Sequence, residues 1–467
     1  MADRSRQRTV IELEQNFREP KASPGRPSFF HPGLANALGS STNGTPCMRF
    51  AKSALITFLA RGLALLIGVA TSIITARALG PEGRGVLALL LFFQGLTVTF
   101  GMMGMNGSIT YFIARDPERA SAVVQNAFSL AVAGGVIVAG LLWIAAAAAP
   151  TVVLGGIDIR YLEIFLLSVP FTFLVNYLQT VFIARQRFVE FNVLDIAVRF
   201  LQMSAFAVVL IGLGGGTFAA VRVVTGVAAV AGVLYLVRVN RLQPFRPGFD
   251  VGLFKEMFSY GGRVWASSVL MYVAVRVHLL LINTMLGESP AGVYSVAMQM
   301  VDVVSIIPLT FGVILFPKVS AGEDPSGTLM MRVLRSTVVI MIVFCGLIAA
   351  LSEQIVLVLF GPDFHEAAIV LQILMPGVVA LSVASILNNH LAGRGLPMVV
   401  VLAPLAALLA MVPALWLTLP RFGLAASAVV ASTGYLLIAD ILIVYVRRQL
   451  NATWSSLIVL HRTDLRF

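Results

Sequence analysis

Five arginines lie where a membrane helix should carry none: Arg61, Arg199, Arg222, Arg263 and Arg276 fall inside or at the edge of long apolar runs. A guanidinium at the bilayer centre costs about 2.5–3.5 kcal/mol on insertion scales. Three of them facing lipid would cost on the order of 8–10 kcal/mol, comparable to the net stability of a domain. Such groups must face a polar cavity or a partner. Their planar fork makes paired hydrogen bonds to phosphate oxygens, so the chemistry they suit is the binding of an anion away from water.

Neighbours on the same helix separate the five. Arg61 and Arg276 have no acid three or four residues away and are the primary cavity candidates. Arg61 shares its face with Gly68, Ser72 and Thr75; Arg276 shares its face with Tyr272 and Asn283, with His278 nearby. Arg199 follows Asp195 by four residues, so pairing within one helix neutralises it and substrate contact is the weaker reading. Arg222 and Arg263 sit near span ends and can snorkel, and Arg263 is kept as a secondary cavity candidate. Asp302 shares a face with Ser295 and Gln299; it either pairs with an arginine across the cavity, the favoured reading, or titrates in ion coupling. Asp440 reads as structural, with coupling as the alternative. His278 is a further cavity candidate, and Asn106 and Gln299 are candidates for sugar contacts, although interhelical hydrogen bonding is the stronger reading for any single amide.

The elements that position these groups follow from composition. The 467 residues are 58% hydrophobic and 12% charged, with mean hydropathy +0.91. Soluble chains carry about 25% charged residues, so a soluble enzyme is excluded and a polytopic membrane protein indicated. Twelve apolar stretches are expected, near 54–76, 86–113, 122–146, 161–184, 191–212, 217–237, 256–285, 291–316, 331–351, 366–390, 397–418 and 424–446. The domain reading is a basic, disordered tail over 1–52, an N-lobe over 53–240, a C-lobe over 241–450 and a cytoplasmic tail over 451–467. The net charge of +11 suggests nucleic acid only until it is mapped. With the N-terminus inside, 24 Lys and Arg fall on the inner side and four, Arg77, Arg84, Arg160 and Arg421, on the outer. Both termini are therefore expected in the cytoplasm, and no nucleic-acid partner is expected.

The two halves repeat. Leu79-Gly80-Pro81-Glu82-Gly83-Arg84-Gly85-Val86 after the first span matches Leu286-Gly287-Glu288-Ser289-Pro290-Ala291-Gly292-Val293 after the seventh, an offset of 207 that also carries Arg187 onto Arg394. Six spans is an even number, so the halves are parallel repeats of the kind found in secondary transporters. No GxxxxGK[ST] loop, HExxH or His/Cys cluster is present, so no metal, ATPase or other enzymatic site is expected.

Ala76-Arg77-Ala78-Leu79-Gly80-Pro81-Glu82-Gly83-Arg84-Gly85, Gly104-Met105-Asn106-Gly107, Phe316-Pro317-Lys318-Val319-Ser320 and Leu391-Ala392-Gly393-Arg394-Gly395 resemble, in type and order, signatures of polysaccharide flippases. These belong to the multidrug/oligosaccharidyl-lipid/polysaccharide (MOP) exporter superfamily. The resemblance covers about 50–450. It implies an all-α membrane protein of about twelve helices in two parallel six-helix lobes facing each other in a V, with spans one, two, seven and eight lining a central cavity. It also implies transfer of undecaprenyl-diphosphate-linked oligosaccharide to the outer leaflet of a bacterial inner membrane, with no cofactor beyond H+ or Na+ coupling. The implied partners are the bilayer, the lipid-linked glycan, and the polymerase and glycosyltransferases of the same pathway. Two relatives are alternatives. Lipid II flippases usually have fourteen spans, and cation-coupled multidrug exporters usually keep an acid in span one, where this chain has Arg61.

Overall fold

The computed structural model describes residues 46–116, 118–320, 324, 326–395, 397–451 and 453. The chain divides into two units, Met1–Arg49 and Phe50–Phe467, and the membrane fold belongs to the second. Most of the expected N-terminal tail, and the C-terminal tail after 453, lie outside the described residues.

All regular structure among the described residues is helical. In order, the helices are α1 (Pro46–Gly101), α2 (Met105–Arg115), α3 (Ala120–Ala148), α4 (Pro150–Val153), α5 (Ile159–Leu166), α6 (Val169–Ala184), α7 (Phe188–Phe206) and α8 (Thr217–Leu242). The second half follows with α9 (Val251–Leu286), α10 (Glu288–Ser320), α11 (Thr328–Ala350), α12 (Ser352–Leu359), α13 (Glu366–Gly393) and α14 (Val399–Leu450). A π turn, Ala207–Gly212, extends α7.

Among the described residues ten helices are long and apolar enough to cross a bilayer. Two of them are too long for one crossing. The apolar part of α1 has 43 residues and α14 has 52, about 64 and 78 Å if straight, against a hydrocarbon core of about 30 Å. Each is broken by a left-handed glycine, Gly80 (φ 65°) in α1 and Gly423 (φ 61°) in α14. A side chain would be strained there, and Pro81, which has no N–H to lose, restarts the helix. With both divided, the helices are consistent with the expected twelve crossings. The second expected stretch, 86–113, is not continuous: the chain turns at Met103 (φ 48°) and Gly104 (φ 72°) before α2. Large apolar side chains such as Leu141, Val343, Leu409 and Trp416 remain exposed along the helices, as lipid rather than water demands.

The repeat detected in sequence has a structural counterpart. Gly80 (φ 65°, ψ −177°) and Gly287 (φ 95°, ψ −176°), 207 residues apart, turn the chain in the same way. Five residues beyond each, the backbones of α1 and α10 touch reciprocally. A Cβ on Gly85 would meet the carbonyl of Glu288, and a Cβ on Gly292 would meet the carbonyl of Pro81. Pro81 maps onto Glu288 at the same offset, so the contact is self-complementary, like that of a two-fold dimer. Near the same end each half caps a short helix of the other. Arg77 donates to the Leu359 carbonyl (2.9 Å) and the Val358 carbonyl (2.5 Å) at the end of α12, and Asn283 Nδ2 donates to the Leu154 carbonyl (2.8 Å) just after α4. These are carbonyls that a helix end leaves without partners, and a cation there also suits the helix dipole.

The polar joint after α8 is strapped to α3. Asn126 Nδ2 donates to the Asp250 carbonyl at 2.9 Å, its Oδ1 accepts from the Asp250 N–H at 2.7 Å, and Ser129 donates to the Gly248 carbonyl at 2.6 Å. Asp250 then caps α9 by accepting from the Leu253 N–H at 3.0 Å. The cap orients the helix that carries Arg276.

Candidate functional site: an arginine-lined intramembrane cavity

Two adjoining cavities, about 210 and 420 Å³, lie between helices of the two halves and share Gln299 and Asp302 of α10 as lining residues. The smaller is walled by Arg84 and Phe92 of α1, Tyr272 and Arg276 of α9, and Ser295 of α10. The larger is walled by Arg61 and Gly68 of α1, Gln179 of α6, and Asn192, Asp195 and Arg199 of α7. Four guanidinium groups thus face two carboxylates, a net charge of +2.

Arg84 is the most confined. Its residue is 6% exposed, yet every partner is neutral: Nε donates to Ser295 Oγ at 3.2 Å, Nη1 to Thr75 Oγ1 at 2.8 Å and Nη2 to Ser72 Oγ at 3.0 Å. The Thr75 and Ser295 hydroxyls donate their own hydrogens to backbone carbonyls, Thr75 to Thr71 and Ser295 to Gly292, which leaves oxygen lone pairs toward the arginine. Geometry is satisfied but charge is not. No described carboxylate pairs with Arg84, and a buried charge without a counter-charge is costly.

Sequence alone placed Arg84 in an outer loop, and the structure corrects this. Gly80 and Pro81 end the loop early, so Arg84 stands in the first turn of the resumed helix. It is flanked by Gly83 and Gly85, whose lack of side chains lets α10 and neighbouring groups close over it; a Cβ on Gly83 would meet Thr217 Oγ1 at 2.6 Å. That glycine bracket is the signal that could have revealed it.

Arg276 has no acid one turn away on its own helix but meets one on another helix. Its Nη2 bonds Asp302 Oδ1 at 2.5 Å and Oδ2 at 2.7 Å across from α10. The pair is partly open to the cavity, with side-chain exposures of 29% and 42%. Arg199 pairs with Asp195 along α7 at 2.9 Å. Arg61 is exposed on the larger cavity and no described residue pairs with it.

The remaining candidates do not join this constellation. Asn106 accepts a hydrogen bond from Thr180 at 3.1 Å and lines neither cavity. His278 is fully buried with its ring 6.2 Å from that of Tyr294 and 6.3 Å from that of Tyr435. Asp440 is exposed on α14 beside Arg448 in a separate groove. The Arg263 side chain lies outside the described residues, and Arg222 is exposed on α8. No cluster of three or more metal-ligating side chains occurs among the described residues.

A multi-pass helical membrane protein with paired halves around a charged internal cavity is the architecture of the MOP exporters, and solved structures of that class superpose on it. An inward-facing multidrug resistance MATE family transporter of the MOP superfamily matches with TM-score 0.69 and 14% identity, over 83% of this chain and 94% of that one. The lipid II flippase MurJ in an inward closed conformation matches with TM-score 0.71 and 12% identity, over 84% and 87%. A mutant of the Vibrio cholerae MATE transporter VcmN matches with TM-score 0.63 and 12% identity, over 88% and 99%. At these identities the likeness is one of fold. The family is given by sequence: the profile of the polysaccharide biosynthesis proteins matches residues 74–369, and the chain belongs to that family. No curated protein matches it.

Proposed function

We propose that the protein moves a polyprenyl-diphosphate-linked oligosaccharide from the cytoplasmic to the outer leaflet of the inner membrane, both termini being cytoplasmic. The diphosphate binds at the cavity between spans 1–6 and spans 7–12, the N- and C-lobes. The observation that carries this reading is Arg84, a guanidinium buried among hydroxyls with no counter-charge among the described residues. A diphosphate supplies that counter-charge and accepts the forked hydrogen bonds of Arg84, Arg276 and Arg61. The net +2 of the lining favours an anion over a drug cation. Gln179 and Gln299 offer amides for the glycan, while the prenyl chain stays in lipid. Family membership in polysaccharide biosynthesis supports the sugar-linked cargo.

The test is flipping of a fluorescent short-prenyl-diphosphate glycan by purified protein in liposomes, read by chemical quenching of the outer leaflet. Wild type exceeds protein-free vesicles, while Arg84→Gln and Arg61→Glu fall to background at unchanged protein levels. Full activity in both variants, or dye efflux without lipid flipping, would overturn the reading.

A further inference from the structure

Among the described residues Asp302 is the one acid that faces both cavities, and its two oxygens occupy Nη2 of Arg276 at 2.5 and 2.7 Å. A carboxylate in that position gives Nη2 the same negatively charged acceptor oxygens that a phosphate would give it. An anion arriving beside Arg84 therefore meets an Arg276 whose Nη2 is already engaged by an acid. We infer that Asp302 is a built-in competitor of the cargo's diphosphate, handed from Arg276 to the larger cavity when the anion binds and returned when it leaves. This rests on the diphosphate reading of the site and adds to it the device that sets how tightly the anion is held.

The geometry supports an exchange in preference to a fixed brace. Asp302 is 42% exposed at its side chain, so it has room to change rotamer. On its other side the larger cavity holds Arg61, which no described residue pairs with, and Arg199, which is held by Asp195 through Nε alone. The released carboxylate thus moves between positive groups and is never left uncompensated in the membrane, which keeps the exchange low in cost. A transporter needs such balance: a site of four arginines with no internal rival would hold a diphosphate too firmly to release it. Gln299 lines both cavities one turn before Asp302 and can hydrogen-bond the carboxylate on either side.

The experiment measures binding of inorganic pyrophosphate to the full-length protein in detergent by calorimetry, with six proteins compared. Asp302→Asn and Asp302→Ser each bind about five- to tenfold tighter than wild type, the gain expected from removing a partly exposed ion-pair rival. Arg84→Gln and Arg276→Gln bind weaker. A tightening cannot come from misfolding, and two different neutral residues guard against failure of either. Asp195→Asn adds the same positive charge to the site without freeing Arg276, so it tightens binding by less than half as much. If Asp302 variants bind no tighter than wild type while the arginine variants weaken binding, the competitor is overturned and the diphosphate site stands. Equal tightening by Asp195→Asn also overturns the competitor. Pyrophosphate binding that is absent in all six proteins, or indifferent to Arg84 and Arg276, overturns both.

Discussion

The crossing of α1 and α10 at Gly85 and Gly292 makes a quantitative demand. Adding a Cβ to Gly85 drives it into the backbone carbonyl of Glu288, and adding one to Gly292 drives it into the carbonyl of Pro81 and to 2.9 Å from the Gly85 nitrogen. Main-chain atoms cannot rotate aside as a side-chain tip can, so the two helices must separate. Overpacking of this kind costs about 1–3 kcal/mol, against a gain of up to about 1 kcal/mol in helix propensity for Gly→Ala. Gly68→Ala and Gly140→Ala, where the new Cβ meets nothing within 4 Å, isolate the propensity gain and should be neutral or stabilising. Because both clashes press on one pair of backbones, once either has moved them the other costs less. The double variant should therefore be less destabilised than the sum of the singles by about 0.5–3 kcal/mol. The assay is equilibrium unfolding in mixed micelles with the four single variants and the double. A Gly85→Ala protein as stable as Gly140→Ala, or strictly additive losses, would refute the reciprocal contact.

Arg84→Met should raise the unfolding midpoint, by on the order of 1 kcal/mol or more in stability, while abolishing lipid flipping, because a buried charge without a counter-charge costs stability that an apolar side chain of similar length does not; a less stable protein would mean that the charge is compensated after all. Asp440→Leu removes a carboxylate from the exposed face of α14 and should leave flipping unchanged with equal or higher thermal stability; loss of flipping would instead give Asp440 a part in coupling.

What was legible in the sequence was whatever depends on spacing along one helix. The apolar runs fixed the crossings because a helix must bury its backbone polar groups internally in lipid, whatever its neighbours. Gly80-Pro81 and Gly287 marked the turns because their φ preferences are local, and the shared offset exposed the duplication. The Asp195–Arg199 pair was visible for the same reason, four residues being one turn. Even the span interrupted at Met103 and Gly104 carried its punctuation openly, in a glycine preceding Met105-Asn106.

Which residues meet between helices was not legible: Asp302 could be expected to face an arginine across the cavity, but not to face Arg276 in particular. Asp302 is 26 residues from Arg276, and Ser295 is 211 from Arg84; no periodicity connects positions whose distance is set by how two helices cross. The sequence by itself therefore determined an all-helical membrane protein with doubled halves and too much positive charge inside it. Tertiary structure alone decided which charges are answered among the described residues: Arg276 is and Arg84 is not, because α9 and α10 bring a carboxylate to one while the glycine-bracketed crossing of α1 and α10 seals the other among hydroxyls.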